Sequence, residues 1–109
     1  MQFVDLKAQY EQLKTEIDAG IRKVLLHGKF IMGPEVAELE EKLAAYAGVK
    51  HCISVSNGTD ALLIPLMAWG VGRGDAVFVP DFTFASTSEV ACLTGATPVF
   101  VDIDRKTFN

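Results

Sequence analysis

The sequence predicts an α/β protein in which helices come first and strands then alternate with helices in a mostly parallel sheet. Three observations predict it. Residues 1 to about 48 carry most of the charge and repeat their apolar residues at helical spacing. Residues 51–101 are more apolar, with short strand-like runs set apart by helix-length segments. Between these parts, Cys52-Ile53-Ser54-Val55-Ser56-Asn57-Gly58-Thr59-Asp60-Ala61-Leu62 passes from a strand pattern through a Ser-Asn-Gly-Thr turn straight into a helix pattern. Such a turn aims backbone N–H groups and a helix N-terminus at whatever lies beyond the strand's carboxyl end.

Each element follows from local signals. Leu6, Tyr10, Leu13, Ile17, Ile21, Val24 and Leu25 recur at three- and four-residue spacing, which predicts a first helix with one apolar face. Gly20 weakens its middle slightly, and His27-Gly28 is a C-terminal stop. Lys29 to Pro34 reads as a loop. Pro34 suits the first turn of a second helix, with Glu35 and Glu38 near its positive end. Val36, Leu39, Leu43 and Tyr46 give that helix its stripe, and Gly48 ends it. The next elements are a strand over Cys52–Val55 and a helix from Thr59 to about Trp69, which Pro65 should kink or break. They are followed by a strand over Ala76–Val79 stopped by Pro80, a helix from Phe84 to about Leu93, and a strand over Thr97–Val101. The expected organisation is therefore a helical segment, 1–48, and a partial α/β domain, 49–109. Ligands of such sheets collect beyond the strands' carboxyl ends, where the loops Ser56–Thr59, Asp81–Ser88 and Asp102–Arg105 should converge.

Composition narrows the function classes. The net charge of −4 and the scattered basic residues argue against a general nucleic-acid surface. No apolar run approaches the roughly 20 residues that span a bilayer, and Met1-Gln2-Phe3-Val4-Asp5 lacks the order of a secretory signal. A cytoplasmic protein is expected. Cys52 and Cys92 sit in apolar segments and read as small core residues. With His27 and His51 they form no zinc-spaced motif.

Three places could carry chemistry. At Ser56-Asn57-Gly58-Thr59, Gly58 lets the backbone approach an anion and Thr59 adds a hydroxyl donor. The same residues also suit an ordinary N-cap turn, and Asp60 would repel a phosphate unless turned away or bonded elsewhere. In Pro80-Asp81-Phe82-Thr83-Phe84-Ala85-Ser86 an aromatic ring at the sheet's mouth could stack on a flat heterocycle, although residue type alone favours both phenylalanines as cover for the core. Asp102 and Asp104 could bind metal or move protons, but turn chemistry is the more ordinary role of aspartate there. Asp5, Lys7 and Lys29 read as solvated surface groups.

Taken together, the segments are more specific. The chain resembles the N-terminal part of the DegT/DnrJ/EryC1/StrS family of pyridoxal-phosphate-dependent sugar aminotransferases. The resemblance rests on Phe3-Val4-Asp5-Leu6-Lys7-Ala8-Gln9-Tyr10, Phe30-Ile31-Met32-Gly33-Pro34-Glu35-Val36, Ser56-Asn57-Gly58-Thr59-Asp60-Ala61-Leu62, Gly72-Arg73-Gly74-Asp75-Ala76-Val77, Pro80 to Thr87 and Gly95 to Asp104, in that order and spacing.

The resemblance implies part of the large-domain sheet of a fold-type I aminotransferase, incomplete and mostly parallel, in which the first two strands of this chain are not neighbours. It implies that Gly58 and Thr59 hold the cofactor phosphate through backbone N–H groups and that Phe84 stacks on the pyridine ring, with Phe82 left in the core. It places the N-terminal segment and the Gly33-Pro34 loop near the substrate. It implies an amino group moved from an amino acid, usually glutamate, to a keto group of a nucleotide-linked sugar, in glycan or antibiotic-sugar biosynthesis, by a homodimer. No lysine here matches the family's Schiff-base lysine and no aspartate its ring-nitrogen partner, so no catalytic residue is assigned. The 109 residues alone are expected to be inactive, and to be marginally stable, aggregation-prone or dependent on another chain. The alternatives are a small non-catalytic α/β module that binds phosphate or a nucleotide, and an interaction domain using the helices of residues 6–46.

Overall fold

Asp5 opens the first helix by accepting a hydrogen bond from the Ala8 N–H at 3.0 Å, so a residue expected to be a plain surface charge is a helix cap. The computed structural model describes residues 4–108. Phe3, the first residue of the first matched motif, lies outside them. The chain divides into two units, residues 1–54 and 55–109.

The first unit contains α1 (Leu6–His27) and α2 (Pro34–Ala47). Gly28 ends α1 at φ 66°, with its N–H on the Val24 carbonyl at 3.0 Å. Gly48 ends α2 at φ 68°. There the Gly48 N–H reaches the Ala45 carbonyl and the Val49 N–H the Ala44 carbonyl, the bond pair of a Schellman end. Both stops are the expected ones, because a residue with Cβ is penalised at these angles. The apolar stripe of α1 forms as expected, yet no residue of α1 is buried.

α1 and α2 are linked through Glu35. Its Oε1 lies 3.1 Å from Lys23 Nζ and its Oε2 3.1 Å from His27 Nε2. Further along, Glu40 Oε1 accepts from the Ser54 N–H at 2.8 Å and the Ser54 hydroxyl at 2.7 Å, tying the chain after α2 back to that helix. The expected strand over Cys52–Val55 is therefore a correction. The segment forms no ladder among the described residues. A strand exists only where a neighbour takes its N–H and C=O groups, and here the Ser54 N–H is taken by a carboxylate instead.

The second unit runs α3 (Gly58–Ala68), β1 (Ala76–Pro80), α4 (Ser86–Thr94) and β2 (Thr97–Val101). β1 and β2 pair in parallel from Ala76 opposite Thr97 to Pro80 opposite Val101, with α4 as the crossover. α4 packs on both strands and α3 on α4. The core is small: Val79 from β1, Val90 and Ala91 from α4, and Ala96 before β2. Pro65 neither breaks nor ends α3, which runs on to Ala68. Proline removes one donor, and the carbonyl it deprives is that of Ala61, an exposed residue where water can replace the bond. Large apolar residues of this unit stay uncovered, among them Trp69, Phe78 and Phe100.

Candidate functional site

The Ser56-Asn57-Gly58-Thr59 turn becomes the N-terminus of α3. Asn57 is extended at φ −163° and ψ 175°, and its side-chain oxygen accepts the Asp60 N–H at 2.9 Å. Its own carbonyl accepts the Ala61 N–H at 3.1 Å. That leaves Gly58 and Thr59, whose N–H groups have no acceptor among the described residues. Two adjacent free donors at the positive end of a helix are an arrangement that can hold an anion. Space is available as well, since a Cβ built on Gly58 would meet nothing within 4 Å.

The Asp60 carboxylate is engaged elsewhere. Its Oδ2 accepts the Ser56 hydroxyl and, at 3.1 Å, the Asn57 side-chain N–H. The Asn57 amide also donates to Ser56 Oγ at 2.9 Å. A negative charge in the first turn of a helix is favourable in itself, and these bonds hold it in a closed polar cluster with Ser56 and Asn57.

Of the three loops expected to converge, Ser56–Thr59 and Asp81–Ser88 meet within the second unit, and Asp81 also reaches Val101, the residue before Asp102–Arg105. Thr59 Oγ1 lies 2.9 Å from Ser86 Oγ, which joins the start of α3 to the start of α4. Ser86 is buried, at 6% exposed. The Asp81 N–H donates to the Val101 carbonyl at 3.1 Å, just past the strand ends. The Phe82 ring packs at a tilt on Phe108, with centroids 5.9 Å apart.

Phe84 is 77% exposed at this mouth, with its flat ring uncovered. Phe82 is 68% exposed, which corrects its placement in the core: its neighbour is the Phe108 ring after β2, and no interior side chain is needed to account for it. Cys92 is likewise exposed and Cys52 only half-buried, so neither fills a core in this chain.

Asp104 belongs to a turn. Its Oδ1 accepts from the Lys106 N–H at 2.8 Å, the Thr107 N–H at 2.9 Å and the Thr107 hydroxyl. These bonds, the Lys106 N–H foremost, hold its carboxyl below the ordinary aspartate range. Asp102 accepts the N–H of Ile103 beside it. Among the described residues no cluster of metal-ligating side chains occurs, and no helix is long and apolar enough to cross a membrane.

Sequence reasoning missed two members of the polar framework. Ser86 read as one hydroxyl among several, and only the packing of α3 on α4 singles it out. Glu40 carried no motif, because its partner Ser54 lies 14 residues away.

The fold is that of a parallel α/β unit, and in such units ligands collect beyond the strands' carboxyl ends, where this chain has an open helix N-terminus and an uncovered aromatic ring. Comparison with known proteins narrows the class. The sequence model of the DegT/DnrJ/EryC1/StrS aminotransferase family matches residues 11–109, and the chain belongs to that family.

The UDP-2-acetamido-2-deoxy-3-oxo-D-glucuronate aminotransferase of Pseudomonas aeruginosa is 56% identical over 109 residues, all of this chain and 30% of that protein. The crystal structure of a DegT DnrJ EryC1 StrS aminotransferase from Brucella abortus superposes with a TM-score of 0.96 at 56% identity, over 99% of this chain and 29% of that one. NtdA from Bacillus subtilis, solved with bound cofactor PMP, superposes with a TM-score of 0.82 at 34% identity, over 88% of this chain and 22% of that one. The chain thus spans less than a third of the length of these relatives, and its helices and small parallel sheet match the N-terminal part of their fold.

Proposed function

We propose that this chain is the N-terminal part of a pyridoxal-phosphate-dependent aminotransferase that moves an amino group from an amino acid, glutamate being the expected donor, to a keto group of a nucleotide-linked sugar. The name of the P. aeruginosa relative supports the substrate class, and the PMP-bound B. subtilis structure supports the cofactor. The pathway class is cell-surface glycan or antibiotic-sugar biosynthesis, in the cytoplasm, by a homodimer. Residues 49–109 would form part of the cofactor-binding domain.

The observation that carries the reading is the pair of N–H groups at Gly58 and Thr59 that have no acceptor among the described residues and lie beside open space. These residues would hold the cofactor's phosphate. Phe84 would cover one face of its pyridine ring and keep water off it. Asn57 and Ser56 would keep the Asp60 carboxylate bonded and away from the anion. When bound, the cofactor supplies an electron sink for the carbon that gains or loses the amino group. The chain's own part is to bind and orient.

A chimaera tests this, with the chain replacing the matching 30% of the P. aeruginosa enzyme. The expected result is a protein that takes up pyridoxal phosphate and aminates the relative's keto sugar with glutamate. A folded chimaera that binds pyridoxal no more weakly than pyridoxal phosphate would contradict the phosphate seat.

A further inference from the structure

Ser86 is a nearly buried hydroxyl on the first turn of α4, and among the described residues its hydrogen-bond partner is Thr59 Oγ1, 2.9 Å away. A buried hydroxyl without a partner is costly, so this bond explains how serine is tolerated there. It also does more. Ser86 follows Phe84 with only Ala85 between them, and Thr59 follows Gly58 directly. One hydrogen bond therefore ties the proposed phosphate seat to the segment that carries the proposed stacking ring.

A hydroxyl has one proton to give and two lone pairs to receive with. Two orders are open to the pair. If Thr59 donates to Ser86, Thr59 has no proton left for an anion. If Ser86 donates to Thr59, the Thr59 proton is available at the mouth. An anion there selects the second order, because a charge-assisted bond is stronger than a neutral one, and each hydroxyl in the row polarises the next.

We propose that Ser86 is a positioning residue for cofactor binding: by donating to Thr59 Oγ1 it turns the Thr59 hydroxyl into a phosphate donor and fixes the spacing between Thr59 and Phe84. This rests on the reading of Gly58 and Thr59 as the phosphate seat. Ser86 itself does not touch the cofactor.

The test uses the chimaera loaded with pyridoxal phosphate, with pyridoxal, which lacks the phosphate, as the control ligand. Ser86→Ala should weaken pyridoxal phosphate roughly 5- to 10-fold, the effect of one hydrogen bond, and leave pyridoxal unchanged. Ser86→Thr, which keeps the hydroxyl, should restore binding. The double variant Ser86→Ala/Thr59→Val should bind no more weakly than Thr59→Val alone, because the two residues act through one bond. Where Ser86→Ala does not fold, Ser86→Cys, a weaker donor of similar shape, reads the same loss. Equal weakening of both ligands, or none, overturns the role of Ser86 while leaving the seat intact. If the parent chimaera does not prefer pyridoxal phosphate over pyridoxal, the seat fails and this inference fails with it.

Discussion

Both carboxylate oxygens of Glu35 reach Nε2 of His27, at 3.2 and 3.1 Å. The other ring nitrogen, Nδ1, accepts the Lys29 N–H at 3.0 Å. Nδ1 therefore keeps its lone pair, and Nε2 carries the proton that Glu35 receives. Glu35 is held down to about 2, first by its own backbone N–H at the start of α2, then by Lys23 and His27. Its folded value lies below its ordinary value of 4.5, so the stabilisation is complete above that value and is lost as pH falls from about 4.5 towards about 2. Helical circular dichroism of the chain and of Glu35→Gln, followed through this window, should show the two melting curves converging as the pH drops. A constant gap between them would contradict the link.

Asn57→Ala removes the side chain that accepts the Asp60 N–H. Loss of such a cap costs about 1 kcal/mol. The chimaera's unfolding midpoint in urea should fall accordingly, and an unchanged midpoint would show that the cap is redundant.

Gly58→Ala separates folding from binding. The added Cβ meets nothing within 4 Å in the chain, so stability should change by less than about 0.5 kcal/mol. It would occupy the space an anion needs, however. Pyridoxal phosphate should bind the chimaera's Gly58→Ala variant at least about tenfold more weakly, a loss of roughly 1.4 kcal/mol. Calorimetry checks both halves, and a large loss of stability would assign Gly58 a purely structural role.

Phe84→Ala makes the same separation at the ring end. Phe84 is mostly exposed in this chain, so its truncation should cost little stability. Lost stacking should weaken pyridoxal phosphate by about 1 kcal/mol. Phe82→Ala serves as the control, because that ring already pairs with Phe108, and its truncation should leave cofactor affinity unchanged.

The sequence-derived expectations succeed where the signal is local. Gly28 and Gly48 end helices because the αL geometry after a last turn is a property of a few adjacent residues. Pro34 starts α2 for the same reason. The Ser-Asn-Gly-Thr turn was legible as a helix start with donors to spare, since cap, glycine and apolar run are contiguous. Expectations fail where a partner decides. Cys52–Val55 has a strand's composition, but composition cannot supply the neighbour that makes a strand, and Glu40 takes the Ser54 N–H instead. Phe82 has a core residue's chemistry, yet the ring beside it comes from Phe108, 26 positions on. Thr59 and Ser86 could each be named as hydroxyl donors from the sequence. Their 2.9 Å contact is a consequence of α3 packing on α4.

A crystal structure of the chimaera with pyridoxal phosphate measures the central claim directly. The account predicts phosphate oxygens about 2.7–3.1 Å from the backbone nitrogens of Gly58 and Thr59, ordinary charge-assisted hydrogen-bond distances. A phosphate held by other groups, with both nitrogens beyond hydrogen-bond reach, would contradict it.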